Sequence, residues 1–406
     1  MPISPHYIEE TKSADLALLF TLVRADVKRT EADDKLAAGN INWPYITHMA
    51  RRHGMTSILY ANLKKLGLVD QLPDAPFRFL KSQYLQVTGG NMRLGKRLAE
   101  IIGILAAQGV PVVPFKGPVL TQMLYNDAAL RYCQDLDVLV PRDQAAAARD
   151  ALRDAGYFHR DPPLEALDAA QFEKFAASEK EFELIDPAGT TMIDLHWRLV
   201  VGGRPCFDYT FCRDRLGSVD FGGREVACLS DEDMVVYLCV HGSSEGWINL
   251  GAVLCLAEYI KQHPDLDWDQ VLALAGILRS NRMLFLGLFL ARDLFGAALP
   301  EIVAMRMKND RQVPGLVARI YRHLFQTTPA KPPKKHIERR FSDIPYQIAV
   351  REHVLDKLKY LLRMLFAPTQ KDWRDLPVRA RFSFLLFLRR PVVMGVELVK
   401  SVVGGR

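Results

Sequence analysis

The sequence of 406 residues predicts an α+β fold, in which helical regions flank a small core that contains strands. Apolar residues recur at helical spacing through the first hundred residues. Short β-branched runs then appear between residues 110 and 229, and only helical patterns follow. The predicted regions are an N-terminal helical region over 1–91, an α/β core over 92–230, and a C-terminal helical region over 231–406 with a Pro-rich break near 327–335.

Composition limits the class of protein. Hydrophobic residues make up 49% and charged residues 25% of the chain, which excludes collagen-like, low-complexity and wholly disordered proteins. The six cysteines form no C-x-x-C pair, which argues against a disulfide scaffold and a structural zinc site. The sequence shows no signal-peptide pattern and no run of roughly 18 apolar residues. We therefore expect a reduced, cytoplasmic protein without a transmembrane segment.

The formal net charge of +6 hides an uneven distribution. Residues 301–406 contain 22 Lys and Arg against 9 Asp and Glu, whereas residues 1–300 contain 31 against 38. An acidic body therefore precedes a basic last quarter. This asymmetry is compatible with a nucleotide, a nucleic acid or a membrane surface as partner and does not choose among them.

Helical spacing is clearest where the core begins. Leu94, Leu98 and Ile101 fall on one face of a predicted helix over Met92–Gln108. The period then changes, because Val110–Phe115 is a β-branched run typical of a buried strand.

Two strand–helix units follow in the predicted core. A helix is predicted over Gly117–Tyr125, since Pro118 is favoured in a first helical turn. Cys133–Val140 reads as the next strand, and an alanine-rich helix with Asp143 as its cap runs to Gly156.

A hairpin completes the predicted sheet. Glu181–Ile185 and Thr191–His196 alternate in polarity and are joined by Asp186-Pro187-Ala188-Gly189, which has the chemistry of a turn. Glu225–Leu229 is a last short strand. Ser230 then opens the helical half with an S-x-x-D capping box.

The strand over Cys133–Val140 contains a D-x-D motif. Asp135 and Asp137 project from the same face because strand residues two apart share a face. Leu136 and Val138 take the opposite, core-facing side. Two adjacent carboxylates repel, and their burial is costly without a partner. A divalent cation removes that cost, since Mg²⁺ takes carboxylate oxygens as ligands; a solvated strand face is the alternative.

A third acid has a similar setting in the hairpin. Asp194 and His196 alternate with apolar residues and share a face of their strand. If this strand lies beside the D-x-D strand, the carboxylates of Asp135, Asp137 and Asp194 converge within metal-binding distance. His196 then either positions an acceptor or a water, or packs against the sheet edge.

A candidate phosphate site lies about twenty residues before the D-x-D motif. The predicted strand ends at Lys116-Gly117 and a helix begins at Pro118. A helix N-terminus offers backbone N–H groups and the positive end of the helix dipole to an anion. Lys116 adds a point charge at the same place.

Together these motifs resemble the nucleotidyltransferase superfamily, which has the fold of DNA polymerase β, and most closely the uncharacterised nucleotidyltransferases. The resemblance rests on Lys116-Gly117, on Arg131 with Asp135–Val140, and on Ile193–Leu199. Weaker similarities extend over nearly the whole chain, from Trp43 to Pro391. The resemblance implies a mixed-sheet nucleotidyltransferase core with flanking helices.

The resemblance also implies an activity: two-metal transfer of a nucleoside monophosphate from an NTP, with ATP or CTP favoured, to a hydroxyl. Asp135, Asp137 and Asp194 would be the catalytic and metal-binding residues, with two Mg²⁺ ions, or Mn²⁺, as cofactor. Lys116, Gly117, Arg131 and His196 would contact nucleotide or phosphate. The acceptor would be a protein side chain, an RNA 3′ end or a small molecule.

One departure from the superfamily supports an alternative. Most members have Ser after the cradle glycine, whereas this chain has Pro118, which offers neither a hydroxyl nor an N–H. The alternative is a weak or inactive nucleotidyltransferase fold that serves as a binding or scaffold protein. Such a protein would bind nucleic acid through its basic C-terminal quarter.

Overall fold

The computed structural model describes residues 13–37, 40–160, 169–200, 206–325, 336–369, 372–373 and 384–403. The fold is α+β, as predicted, with a mixed five-stranded sheet and a separate two-stranded sheet among helices. The predicted Pro-rich break near 327–335 lies outside the described residues. The three predicted regions stay a prediction.

The described strands are β1 Val113–Pro114, β2 Asp135–Leu139, β3 Phe158–His159, β4 Glu181–Ile185, β5 Met192–His196, β6 Gly217–Asp220 and β7 Glu225–Cys228. The main sheet has the order β1-β2-β5-β4-β3, and β6 pairs with β7. β2 and β5 are parallel neighbours at the centre of the main sheet, and its other pairs are antiparallel.

The described α-helices are α1 Ala14–Leu22, α2 Arg29–Leu36, α3 Trp43–Arg52, α4 Thr56–Lys65, α5 Asp74–Ala107, α6 Gly117–Tyr125, α7 Ala145–Asp154, α8 Ala169–Ser178, α9 Tyr209–Cys212, α10 Asp231–Ser244, α11 Leu250–Gln262, α12 Trp268–Ile277, α13 Asn281–Phe295, α14 Glu301–Asn309, α15 Val313–Phe325, α16 His336–Val350, α17 Val354–Phe366 and α18 Phe384–Val403. Within the described part of the chain, none of them combines the length and apolarity needed to cross a bilayer.

Alternation along the central strands gives the sheet one apolar and one polar face. Leu136, Val138, Ile193 and Leu195 are almost completely buried on one side. They belong to a core that also includes Phe182 on β4. Their burial fixes the register, because a slip of one residue would turn every apolar side chain to the other face.

Helices that precede and follow the sheet region in sequence share a second core. The Phe20 ring on α1 lies 5.4 Å from the Phe295 ring and 6.2 Å from the Phe325 ring, measured between centroids. His53 is completely buried after α3, and its Nε2 lies 3.2 Å from the Leu324 carbonyl oxygen. The helices around the sheet are therefore packed by residues that are distant in sequence.

Most predicted elements are confirmed, with shifted ends. The helix over Gly117–Tyr125 and the hairpin strands are observed, and the Ser230 hydroxyl caps α10 by accepting from the Asp233 N–H. The helix predicted over Met92–Gln108 is only the second half of α5. The strand predicted over Val110–Phe115 shrinks to β1, because prolines lack the N–H that a strand ladder uses.

Candidate functional site

One face of the main sheet brings three donor groups together. In the parallel register Asp137 on β2 lies opposite Asp194 on β5, and Leu139 lies opposite His196. Cross-strand partners share a face, as do residues two apart on one strand. One donor atom of each of Asp137, Asp194 and His196 lies within 4.8 Å of the other two. This spacing fits ligands of a single cation.

Two oxygens of this cluster are buried and have no hydrogen-bond partner among the described residues. They are Asp137 Oδ2 and Asp194 Oδ1. Burying a carboxylate oxygen without a partner is costly. Divalent cations such as Mg²⁺ and Mn²⁺ remove that cost because they take carboxylate oxygens as ligands. The residues present therefore fit a divalent cation.

Asp137 is the more deeply buried acid of the cluster, with its side chain 3% exposed. Its Oδ1 lies 3.3 Å from Lys116 Nζ and 3.0 Å from His196 Nε2. Burial opposes the charge of this carboxyl, but the Lys116 ammonium and the His196 hydrogen bond outweigh burial and hold the pKa of Asp137 well below its usual range. Asp137 is therefore an anion at every physiological pH.

Asp194 is perturbed in the opposite direction. Burial, followed by the negative charges of Glu181, Asp137 and Asp135, raises the pKa of Asp194 to about 8. At neutral pH and without a cation, Asp194 therefore carries a proton. A bound cation would favour the carboxylate form and release that proton.

Asp135 lies on the same face as Asp137 but takes a separate position. It is opposite Met192 in the register and is half-buried. Burial and then the Asp137 charge raise the pKa of Asp135. Among the described residues, the 4.8 Å cluster contains Asp137, Asp194 and His196 and leaves Asp135 outside. The structure thus brings two of the three predicted acids together and adds the imidazole.

The N-terminus of α6 lies against β2, and a glycine permits this approach. Gly117 has a φ of +55°, and a Cβ at this position would lie 3.0 Å from the Asp135 carbonyl oxygen. A side chain would therefore be strained by both conformation and contact. Lys116 is the N-cap and makes no side-chain cap hydrogen bond. The first turn of α6 thus presents the positive end of its helix dipole.

Arg131 lies close by, and its guanidinium binds protein atoms. Nη1 donates to the Gly117 carbonyl oxygen at 3.2 Å and to the Thr121 hydroxyl at 3.4 Å. Nε lies 3.3 Å from Cys255 Sγ on α11. Arg131 therefore ties the first turn of α6 to α11. Its role as a phosphate ligand stays a prediction.

Two groups beside the cluster were not predicted from the sequence. Glu181 Oε2 lies 3.0 Å from His196 Nδ1 without hydrogen-bond alignment, and it also pairs with Lys180. Tyr237 on α10 places its ring 5.6 Å from Lys116 Nζ. The hairpin contained the signal for Glu181, since its register places Glu181 opposite His196. Tyr237 had no such signal because it lies in an apolar helix.

These features define a class: a mixed-sheet protein with a carboxylate–imidazole cluster on a central parallel strand pair, beside a helix N-terminus. The model of the family described as uncharacterised nucleotidyltransferase matches residues 39–296 of the chain. The chain belongs to this family, which confirms the resemblance inferred from the motifs. Comparison with curated proteins and with solved structures finds no match.

Proposed function

We propose that this protein transfers a nucleoside monophosphate from an NTP to a hydroxyl group with a divalent cation as cofactor. The proposal rests on the convergence of Asp137, Asp194 and His196 beside the N-terminus of α6. A buried carboxylate pair suits a cation and a helix N-terminus suits a phosphate, so a metal-bound triphosphate fits their junction. Membership of the nucleotidyltransferase family supports the same chemistry.

The carboxylates would hold the cation. Asp137 and Asp194 offer the buried unpartnered oxygens, and Asp135 on the same face would supply the ligand for a second ion. When bound, Mg²⁺ or Mn²⁺ stabilises charge on the attacking and leaving oxygens at phosphorus. His196 would act through Asp137, since its Nε2 contact orients the carboxylate and Glu181 faces the other ring nitrogen.

The triphosphate would lie against the first turn of α6. Gly117 keeps the backbone accessible there because it has no side chain, and the N–H groups of the turn would bind phosphate oxygens. Lys116 Nζ contacts Asp137 beside this turn and would also neutralise charge on the departing pyrophosphate. Arg131 would hold the turn in place through the Gly117 carbonyl oxygen.

The acceptor hydroxyl would approach from the side of Asp194. Asp194, whose buried Oδ1 has no hydrogen-bond partner among the described residues, would complete the cation site that activates that hydroxyl. ATP or CTP is the donor that we propose, and the acceptor is a protein side chain, an RNA 3′ end or a small molecule. We place the activity in the cytoplasm, where NTPs are available and the six free cysteines suit a reducing environment.

Labelled nucleotides test this proposal directly. The purified protein is incubated with Mg²⁺, an extract of the producing cells and each of the four NTPs, labelled at either the α- or the γ-phosphate. We expect label from the α-position alone to enter a product, because a nucleoside monophosphate is transferred and pyrophosphate leaves. Label from the γ-position in the product would instead indicate phosphoryl transfer and contradict the proposal.

Matched variants connect the activity to the cluster. Asp194→Asn is expected to abolish transfer, whereas Asp143→Asn removes an exposed carboxylate shortly after β2 and should leave transfer unchanged. Circular dichroism of both variants verifies folding. Transfer that persists in Asp194→Asn would rule out the assignment.

A scaffold function is the second candidate, and one observation favours it. The Lys116 ammonium already contacts Asp137 Oδ1, so a side-chain cation partly satisfies the carboxylates without a metal. Pro118 also favours the scaffold function, because it removes one N–H from the turn that would bind phosphate. Calorimetric titration with each NTP and Mg²⁺ distinguishes the two functions. Heat of binding supports the enzyme, and its absence with all four NTPs supports the scaffold.

A further inference from the structure

Helix α17 turns its most apolar face to solvent. Six of its side chains are exposed: Val354, Leu355, Leu358, Leu362, Leu365 and Phe366, with exposed fractions from 37% to 77%. At roughly 100° per residue they fall within about 120° of the helix circumference. A helix that packs on a globular core has the reverse arrangement, so this stripe is arranged to meet a partner.

Helix α18 packs against α17 and repeats the pattern. Leu385, Leu388 and Val392 recur at intervals of three and four residues and are 41%, 61% and 66% exposed. Both helices lie outside residues 39–296, the span that matches the family. The exposed face of α17 and α18, here the C-terminal apolar surface, therefore lies outside the matched part of the chain.

Basic residues accompany this surface. At roughly 100° per residue, Lys359 lies at one border of the α17 stripe and Lys357 about 60° beyond the other. The Lys359 side chain is 48% exposed, and its Nζ lies 3.8 Å from Asp356 Oδ1. The surrounding residues 301–406 contain 22 Lys and Arg against 9 Asp and Glu. An apolar stripe flanked by lysines suits the interface of an anionic bilayer, where leucines enter the acyl region and lysines reach the headgroups.

We propose that the C-terminal apolar surface binds the protein peripherally to an anionic membrane. Two other occupants fit less well. A nucleic acid would contact phosphates with exposed cations, whereas leucine and valine side chains dominate this face. A second copy of the chain would bring two strongly basic regions together, and like charges repel. The proposal is independent of the proposed nucleotidyl transfer.

Vesicle flotation with the full-length protein tests the proposal. Vesicles of phosphatidylcholine alone are compared with vesicles that also contain phosphatidylglycerol, at low and raised salt. We expect binding to the anionic vesicles, weaker binding at raised salt, and little binding to phosphatidylcholine alone. Each lysine near an anionic surface contributes about fivefold in affinity. Lys357→Glu with Lys359→Glu should therefore weaken vesicle binding by more than about tenfold.

A matched pair of double variants distinguishes a specific role of the α17 stripe from a general effect of exposed apolar side chains. Leu358→Asp with Leu362→Asp changes side chains that are 50% and 46% exposed on α17. Ile277→Asp with Met305→Asp changes side chains that are 53% and 52% exposed elsewhere. We expect the first pair to lose at least about tenfold in vesicle binding and the second to bind like the wild type.

Several results would overturn the proposal. One is absence of binding to anionic vesicles, and another is equal loss of vesicle binding in the two variant pairs. A third is a wild-type protein that binds no vesicles and forms a dimer, which Leu358→Asp with Leu362→Asp converts to a monomer. Light scattering after size-exclusion chromatography identifies the last result. Binding of RNA in place of vesicles, measured by filter retention, would also assign the surface to another partner.

Discussion

Lys116 Nζ lies 3.3 Å from Asp137 Oδ1, so a cationic side chain sits next to the more deeply buried carboxylate of the cluster. The exposed fractions of the two side chains are 18% and 3%. Because the pair is shielded from solvent, its Coulomb interaction is stronger than that of a surface ion pair. Lys116 therefore supports the cluster without a metal, and a bound cation would compete with it for Asp137.

Replacing Lys116 tests this competition. Lys116→Met keeps an unbranched side chain one atom shorter and removes its charge, which leaves the buried Asp137 carboxylate without that partner. The metal-free protein should therefore lose about 3 kcal/mol in its free energy of unfolding. Added Mg²⁺ should stabilise this variant more than it stabilises the wild type. Urea unfolding in EDTA and in excess Mg²⁺ measures both effects. Lys116→Arg is the control that keeps the charge, and equal responses of all three proteins to Mg²⁺ would contradict the prediction.

The two converging aspartates should respond to amide substitution with opposite signs. The pKa of Asp194 is raised to about 8 from the usual 3.8 of an aspartate, so its stabilising contribution is complete below about pH 4 and is lost as the pH rises through 8. Asp194→Asn removes the ionisable group, so the variant does not lose this stability as the pH rises. In EDTA at pH 8 the variant should exceed the wild type by about 1–3 kcal/mol in free energy of unfolding, and at pH 4 the two should be similar.

Asp137→Asn should have the reverse effect. Asp137 is charged and paired with Lys116 and His196, so the amide leaves a buried ammonium without its partner. We expect a loss of about 3 kcal/mol in EDTA at pH 7. Thermal unfolding of both variants at several pH values provides the comparison. Destabilisation by Asp194→Asn at pH 8 would show that the carboxylate, rather than the neutral acid, is the stable form there.

Glu181 is expected to act as a positioning residue. It faces His196 Nδ1 at 3.0 Å, and a group behind a histidine fixes its tautomer and orientation. Glu181→Gln should lower kcat by about tenfold while KM for the NTP changes little, and should shift the pH profile of kcat. Glu173→Gln is the control, because its side chain is 63% exposed and pairs with Arg142 on the surface. A change in KM alone would contradict the positioning role.

Gly117 should not tolerate a side chain. Gly117→Ala combines a φ of +55° with a Cβ only 3.0 Å from the Asp135 carbonyl oxygen, so we expect a loss of about 1–3 kcal/mol in stability together with weaker NTP binding. Gly103→Ala is the matched control within α5, where a Cβ meets no atom within 4 Å. It should be neutral or stabilising by about 0.5–1 kcal/mol. Denaturant unfolding and calorimetric titration measure the two effects.

Local pattern was sufficient to predict most of the sheet and the face that bears the acids. Alternation identified β2, β4 and β5, because buried strands with one polar face show a period of two. β3 and β6 escaped prediction for a physical reason. β3 has two residues, and three of the four residues of β6 are exposed, so neither has an alternating apolar pattern.

The composition of the cluster depended on information that the sequence pattern lacks. The parallel register pairs Asp137, and not Asp135, with Asp194, and a register between strands distant in sequence follows from packing. The same holds for Arg131, whose contact with Cys255 joins residues separated by 124 positions. Residue types were therefore predictable, whereas the partners of each residue were not.

The core shared by the helices before and after the sheet region has a consequence for synthesis on the ribosome. The Phe20 ring packs against Phe295 and Phe325, which are translated about 275 and 305 residues later, on the order of tens of seconds at usual elongation rates. Helix α1 therefore emerges long before its packing partners exist. We expect it to depend on chaperones during that interval, and a stalled or truncated nascent chain to expose its leucines.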